Sequence, residues 1–450
     1  YSHLKCQEQL WDCEGKEVDN YVVKKLLTRY EPFFSKNVLG KDFFLTLRVP
    51  NPDVEKSEAK VLIETLESIP RSFDTALKFY QDGSAPIFEV ALPMVTSASS
   101  LIRMTQLYKK IIAGKENERM FEGDITLGEW IGAFNPKEIR VIPLIETKES
   151  ILKADKIVEE YVAKQKIEDY HRVWLARSDP ALNYGSLAAI LSVKIALKRL
   201  HELEERISVE LMPILGCGSA PFRGNLKPTN LNCLEGYPSV HTFTVQSAFK
   251  YDYEEKEVRS AIEKMNDKKR GQPKFFDEAK ALGIIEKTAA AYQSQVRLLA
   301  PIVNSFSMHI PQRRRRKLHI GLFGYSRPND GFSLPRAIAF CATLYSLGLP
   351  PELLGLHVLT EKDIEFIQES YQNFESDIKD VLQFVNKDNF SVFPEPVVKD
   401  VEKVLGRFGV DANEKHKKIT SIILNDYSQK KFAALDENII RAGSVRGFLG

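Results

Sequence analysis

Short apolar runs rich in β-branched and aromatic residues recur along this chain, and a helical pattern follows most of them. This alternation constrains the fold more than any other feature. The runs are 43-FFLTLRVP-50, 87-IFEVALPM-94, 139-IRVIPLIE-146, 172-RVWLARS-178, 207-ISVELMPIL-215, 240-VHTFTVQS-247 and 318-LHIGLFGYS-326. Most are nearly continuous in apolar residues, as strands covered on both faces are. Between them lie 54-VEKSEAKVLIETLESI-69, 148-KESILKADKIVEEYVAKQK-166 and 187-LAAILSVKIALKRLHELEER-206. Their apolar residues return at helical spacing, as Leu187, Ile190, Leu191, Val193, Leu197 and Leu200 do in the third. Strand followed by helix, repeated, imposes parallel pairing through crossover helices. Seven such units, with room for an eighth, point to an α/β fold of the closed (β/α)8 barrel type rather than an open doubly wound sheet. The stretches 1–35, 254–310 and 351–450 read as helical. The expectation is one helix-rich barrel domain over residues 1–450, with helical N-terminal and C-terminal extensions.

Charge narrows the function classes. Sixty-three basic residues face 61 acidic ones, a net charge of +2. Such balance argues against a global attraction to nucleic acid or to a membrane surface, so any basic site must be local. No apolar run approaches the ~18 uninterrupted residues of a membrane span. The five cysteines, Cys6, Cys13, Cys217, Cys233 and Cys341, are scattered without zinc-site spacing. A reducing, cytoplasmic setting is therefore expected. The eight histidines include no HxxxH pair, which disfavours a His/Cys transition-metal site. The lysine-rich 263-EKMNDKKRGQPK-274 reads as a solvated connection.

The ends of the apolar runs carry the chemistry. They hold Arg48, Thr96, Glu146, Arg177 with Asp179, Gly216 to Ser219, Gln246, and Ser326 with Arg327. In a barrel the C-terminal strand ends converge on the face that bears the active site. Glu146 and Asp179, on neighbouring strands, could share one hard cation such as Mg²⁺ or Mn²⁺, leaving positions for water and substrate. Asp179 could equally cap the helix that opens at Pro180. In 214-ILGCGSAPFRGNLKP-228, Gly216, Gly218 and Gly224 would let the backbone approach an anion, with Arg223 and Lys227 balancing its charge; an ordinary turn would also use these glycines. The segment 310-IPQRRRRKLHIGLFGYSRPNDGFSLPRAIAF-340 adds Arg314, Arg316, Arg327 and Arg336, which suit bidentate contacts to phosphate or carboxylate. Nucleic-acid binding through Arg313–Lys317 is the competing reading of that run. Two carboxylates, a glycine-rich turn and several arginines suit a small, phosphate-bearing, doubly anionic substrate and enolate chemistry.

Four long motifs now become familiar. They are 211-LMPILGCGSAPFRG-224, 242-TFTVQSAFKYD-252, 173-VWLARSDPALNYG-185 and 334-LPRAIAFCATLYSLGLPPELLG-355. Together with the terminal 441-RAGSVRGFLG-450, they resemble phosphoenolpyruvate carboxylase of the short, archaeal type over essentially the whole chain. The resemblance implies a helix-rich barrel, usually a homotetramer. It converts phosphoenolpyruvate and bicarbonate to oxaloacetate and phosphate with Mg²⁺ or Mn²⁺, through carboxyphosphate and a metal-bound enolate. It also implies that Glu146 and Asp179 are the metal ligands and Arg223 the arginine near the transferred phosphoryl group. Arg336 is then a phosphate anchor, with Arg327, Arg314 or Arg316 as a second. Gln246 and Arg177 match positions lining the site, Arg177 as a catalytic residue beside Arg223; Gln246, Gly216 and Ser219 are expected to bind substrate. The family's catalytic histidine has no counterpart here, and a Thr-Gln-His-Pro segment is expected upstream of Tyr1. The doubled glycine loop of the long enzymes is reduced here to a single FRG. The rival enzyme class is another metal-dependent barrel acting on an enolate, a pyruvate-forming lyase or aldolase.

Overall fold

Seven strands pair in the order in which the chain makes them. In the computed structural model, residues 1–13, 19–56, 59–311, 333–409 and 411–450 are described. The strands are β1 (Glu8–Asp12), β2 (Phe44–Arg48), β3 (Glu89–Leu92), β4 (Arg140–Ile145), β5 (Tyr170–Ala176), β6 (Glu210–Gly216) and β7 (Thr242–Thr244). Every neighbouring pair is parallel, and the order in the sheet is the order in sequence. Six of the seven expected strands are present. The seventh, 318–326, lies outside the described residues, as do Arg313–Lys317 and Arg327. The protein is thus α/β and helix-rich, with a seven-stranded parallel sheet among the described residues.

One expectation fails near the start. Residues 1–35 are not purely helical: Glu8–Asp12 form β1, the first strand of the sheet among the described residues, aligned from Glu8↔Phe44 to Asp12↔Arg48. The segment EQLWD has no apolar run to announce it. It is held instead by β2 and by ion pairs reaching across the sheet. Arg172 of β5 donates to both carboxylate oxygens of Glu8, at 3.0 and 2.6 Å, and to Glu89 of β3 at 2.9 Å. Burial pushes the Glu8 carboxyl up, but Arg172 outweighs it and holds the group below its ordinary range. At Glu89, with its single contact, burial wins and the carboxyl is raised. Removing one partner of a buried pair typically costs about 3–5 kcal/mol, because a charge is left behind uncompensated.

The two-residue period of a strand decides what faces inward. A cavity of about 2370 Å³ is lined by alternate positions of the central strands: Ile142 and Leu144 of β4 with Glu146 just beyond it, Arg172, Trp174 and Ala176 of β5, and Met212, Ile214 and Gly216 of β6; at β7 consecutive residues from Thr242 to Gln246 line it. The stripe is charged at the strand N-termini, apolar in the middle, and polar again at the C-termini. Outside it, two larger cores pack helices on the sheet. One covers β2–β4 with the helices Ala59–Tyr80 and Ala98–Leu107. The other joins β5 and β6 to the helices Ser186–Ile207, Glu278–Ser307 and Ala337–Ser346, and to the C-terminal helices beyond residue 361. Among the described residues no single helix is long and apolar enough to cross a membrane.

Candidate active site

The inward stripe of β4 ends in Glu146, one residue beyond the strand, and the side chain is buried. The Met94 amide, just past β3, donates to its Oε2 at 2.7 Å. Asp179 follows β5 and lies in the first turn of the helix Ser178–Tyr184. It is not the cap: Arg177 holds the N-cap position, and no side chain caps the helix. Glu146 and Asp179 line the same cavity. Their oxygen donors, from consecutive strand ends, have the chemistry that suits a hard divalent cation sharing its remaining positions with water and substrate. Among the described residues no cluster of three or more His, Cys, Asp or Glu side chains is arranged to hold a metal. A cation here would rest on two carboxylates.

Arg223 occupies the other wall. The loop after β6 closes in a 3-10 turn, Pro221–Arg223, with the Arg223 amide donating to the Ala220 carbonyl at 2.9 Å. Gly224 follows at φ +127°, a conformation L side chains rarely adopt. A Cβ on Gly218 would sit 2.9 Å from Arg223 Cζ, so the glycine makes the space the guanidinium fills. That guanidinium is buried, and each of its three nitrogens donates a hydrogen bond. Nε donates to the Ser178 hydroxyl at 3.1 Å, Nη1 to the Gly450 carbonyl at 2.9 Å, and Nη2 to Gln246 Oε1. Burial pushes Arg223 below its ordinary range, while the Cys341 thiol and the Asp179 carboxylate oppose that. Its bond to Ser178 also places the arginine beside the segment that carries Asp179.

The remaining expected residues divide. Gln246 precedes the helix Ser247–Tyr251, Gly216 ends β6, and the exposed Arg336 heads the helix Ala337–Ser346; all three line the cavity. Ser219 does not line it, and its buried hydroxyl has no hydrogen-bond partner among the described residues. Arg177 borders the cavity, yet it is only 1% exposed, with Tyr237, Tyr371, Cys217 and Cys233 within electrostatic reach. Its Nε and Nη1 find no hydrogen-bond partner among the described residues. Arg314, Arg316 and Arg327 lie outside the described residues. Reading the sequence missed the Ser178 hydroxyl, the Met94 amide and the Gly450 carbonyl. Ser178 had a signal, standing between Arg177 and Asp179; a backbone carbonyl has none.

A family model described as phosphoenolpyruvate carboxylase matches residues 1–450. The chain belongs to the phosphoenolpyruvate carboxylase family. The phosphoenolpyruvate carboxylase of Methanospirillum hungatei is 49% identical over 452 residues, covering 100% of this chain and 92% of that protein. That of Methanothermobacter thermautotrophicus is 50% identical over 451 residues, with the same coverage. That of Pyrococcus furiosus is 52% identical over 386 residues, 85% of this chain and 81% of that protein. All three organisms are archaea, so the chain groups with the short, archaeal type of phosphoenolpyruvate carboxylase.

Proposed function

We propose that this carboxylase joins bicarbonate to phosphoenolpyruvate at the strand C-termini, giving oxaloacetate and phosphate. The observation that carries the reading is the convergence of a buried, triply hydrogen-bonded Arg223 with Glu146 and Asp179 in one cavity, in a chain of this family. The overall activity is that of a carbon–carbon lyase acting on phosphoenolpyruvate. Bicarbonate oxygen attacks phosphorus, the bond from phosphorus to the enol oxygen breaks, and carboxyphosphate and an enolate result. Carboxyphosphate separates into CO₂ and phosphate, and the enolate carbon then attacks CO₂. Arg223 faces the transferred phosphoryl group, pre-oriented by Ser178, Gln246 and Gly450, so that its charge needs no reorganisation as the bond breaks. Arg336 anchors the substrate phosphate at the cavity mouth, with Arg327, Arg314 or Arg316 as further anchors. Gln246 and Gly216 shape the substrate wall. The engulfed Arg177 serves by holding the segment that carries Ser178 and Asp179.

Glu146 and Asp179 would hold Mg²⁺ or Mn²⁺, which when bound supplies charge stabilisation for the enolate oxygen. The apolar middle of the cavity limits water, which would otherwise protonate the enolate to pyruvate. Residues 1–450 act as one catalytic unit, with the sheet belonging to an eight-stranded barrel; the sequential parallel order supports this. A cytoplasmic homotetramer is the expected form. Purified enzyme with phosphoenolpyruvate and Mg²⁺ or Mn²⁺ should release phosphate and form oxaloacetate only when bicarbonate is present. Pyruvate as sole product, or turnover indifferent to bicarbonate, would sink the carboxylase reading in favour of another enolate-forming lyase.

A further inference from the structure

The Arg223 turn is gripped from behind by a carboxylate far away in sequence. Glu352 lies on the 3-10 turn Pro351–Leu353 and is 5% exposed. Its Oε1 accepts the amide N–H of Phe222, 130 residues upstream, and the Tyr345 hydroxyl at 2.7 Å. Its Oε2 has no hydrogen-bond partner among the described residues. Burying a carboxylate is costly, and packing alone would favour an apolar residue here, as at Leu353 and Leu354, which follow it in the core. The carboxyl oxygen accepts hydrogen bonds from two buried donors, which an apolar residue could not, and that gives the burial a purpose. Phe222 is itself fully buried against Phe340 and Tyr292, so the amide is presented to Glu352 by a fixed ring.

The grip has a second point three residues on. Asn225, at φ +57°, donates to Asp377 at 2.8 Å and to Asp380 at 3.1 Å. The arginine between these two points therefore has its backbone fixed on both sides by residues from the C-terminal helical layer. Resting on the carboxylase reading above, we propose that Glu352 is a positioning residue for Arg223, fixing the 3-10 turn through the Phe222 amide so that the guanidinium meets Ser178, Gln246 and the Gly450 carbonyl. A misplacement of about 1 Å in a charge-stabilising group can cost about a hundredfold in rate, so the hold on Phe222 reaches the chemistry without touching substrate. The groups facing Glu352 are Tyr345 and Cys341 on one helix, Tyr292 on a second, Asp377 on a third and Arg446 on the C-terminal helix.

The test compares Glu352→Ala, Glu352→Gln and Tyr345→Phe in the full chain. Two readouts are taken: kcat and KM for phosphoenolpyruvate, and backbone hydrogen exchange of the segment 217–226 without substrate. Glu352→Ala should lower kcat by about ten- to a hundredfold, leave KM within about threefold, and speed exchange in 217–226. Glu352→Gln keeps a carbonyl oxygen for both donors and should recover kcat to within about threefold of wild type. Tyr345→Phe, a gentler change, should fall between them, and it carries the test if Glu352→Ala does not fold. Wild-type kcat in folded Glu352→Ala, or unchanged exchange in 217–226, overturns the proposal. So does a Gln variant as slow as the Ala variant. Absence of bicarbonate-dependent turnover in the wild type would sink the carboxylase reading instead, and the exchange measurement would still judge the hold on Phe222.

Discussion

The two walls of the cavity are built in different ways. The acidic wall is local: Glu146 and Asp179 lie just past the ends of the paired strands β4 and β5, and both line the cavity. The basic wall is assembled from afar. Arg223 meets Gln246, Ser178 and Gly450, and its turn is tied to Glu352, Asp377 and Asp380. On the proposed reading, a ligand of a mobile ion tolerates local placement, because water and substrate complete its shell. A guanidinium that must meet charge developing at one atom needs its whole surroundings preset, and that takes contacts across the molecule.

Breaking the acidic wall should have the largest effect. Asp179→Asn keeps shape and removes charge. Turnover should fall by about a thousandfold, the scale of several kcal/mol of lost cation chemistry. The upward shift of melting temperature that Mn²⁺ gives the wild type should vanish, while the melting temperature without metal stays close to wild type. A variant that keeps both turnover and the Mn²⁺ shift would remove Asp179 from the cation site.

Arg223→Lys tests the basic wall. The charge stays, but one ammonium cannot reproduce three bonds in a planar fork. A loss of kcat of about a hundredfold is expected, with the Mn²⁺ shift intact. If lysine works as well as arginine, the preset geometry is irrelevant and the contrast between the walls collapses.

The smallest effect concerns the back of the basic wall. Burial pushes the Glu352 carboxyl up to about 7. Its ordinary value is lower, so folding favours the protonated form. Stability is therefore lost as pH rises from the ordinary carboxylate range through about 7, and the loss is complete above it. Glutamine does not titrate. The melting temperature of Glu352→Gln relative to wild type should thus rise by a few degrees between pH 5 and pH 8. A difference that is flat with pH would show that the carboxyl stays ionised throughout.

What the sequence makes legible follows the same division. Strands β2–β7 announce themselves because strands covered on both faces must be apolar, and Glu146 stands out because the alternation of β4 carries it inward. Asp179 is equally visible, though its reading as a cap yields to Arg177 at the N-cap. Strand β1 escapes notice because EQLWD is half-buried along its length and depends on Arg172, 164 residues from Glu8. Arg177 is visible as a residue of the cavity, but its burial to 1% exposure comes from tertiary packing that the segment itself does not announce. Glu352 offered one cue, a lone carboxylate in the apolar 344-LYSLGLPPELLG-355, but nothing in that segment names Phe222 as its partner.

The Gly450 carbonyl that receives Arg223 has a bearing on biosynthesis. A chain emerging from the ribosome can set Glu146 and Asp179 in place once β5 has paired with β4. Arg223 must wait until residues 352 and 450 have been made and packed, since contacts that distant in sequence form late. In the nascent polypeptide the acidic wall is therefore in place long before the basic one.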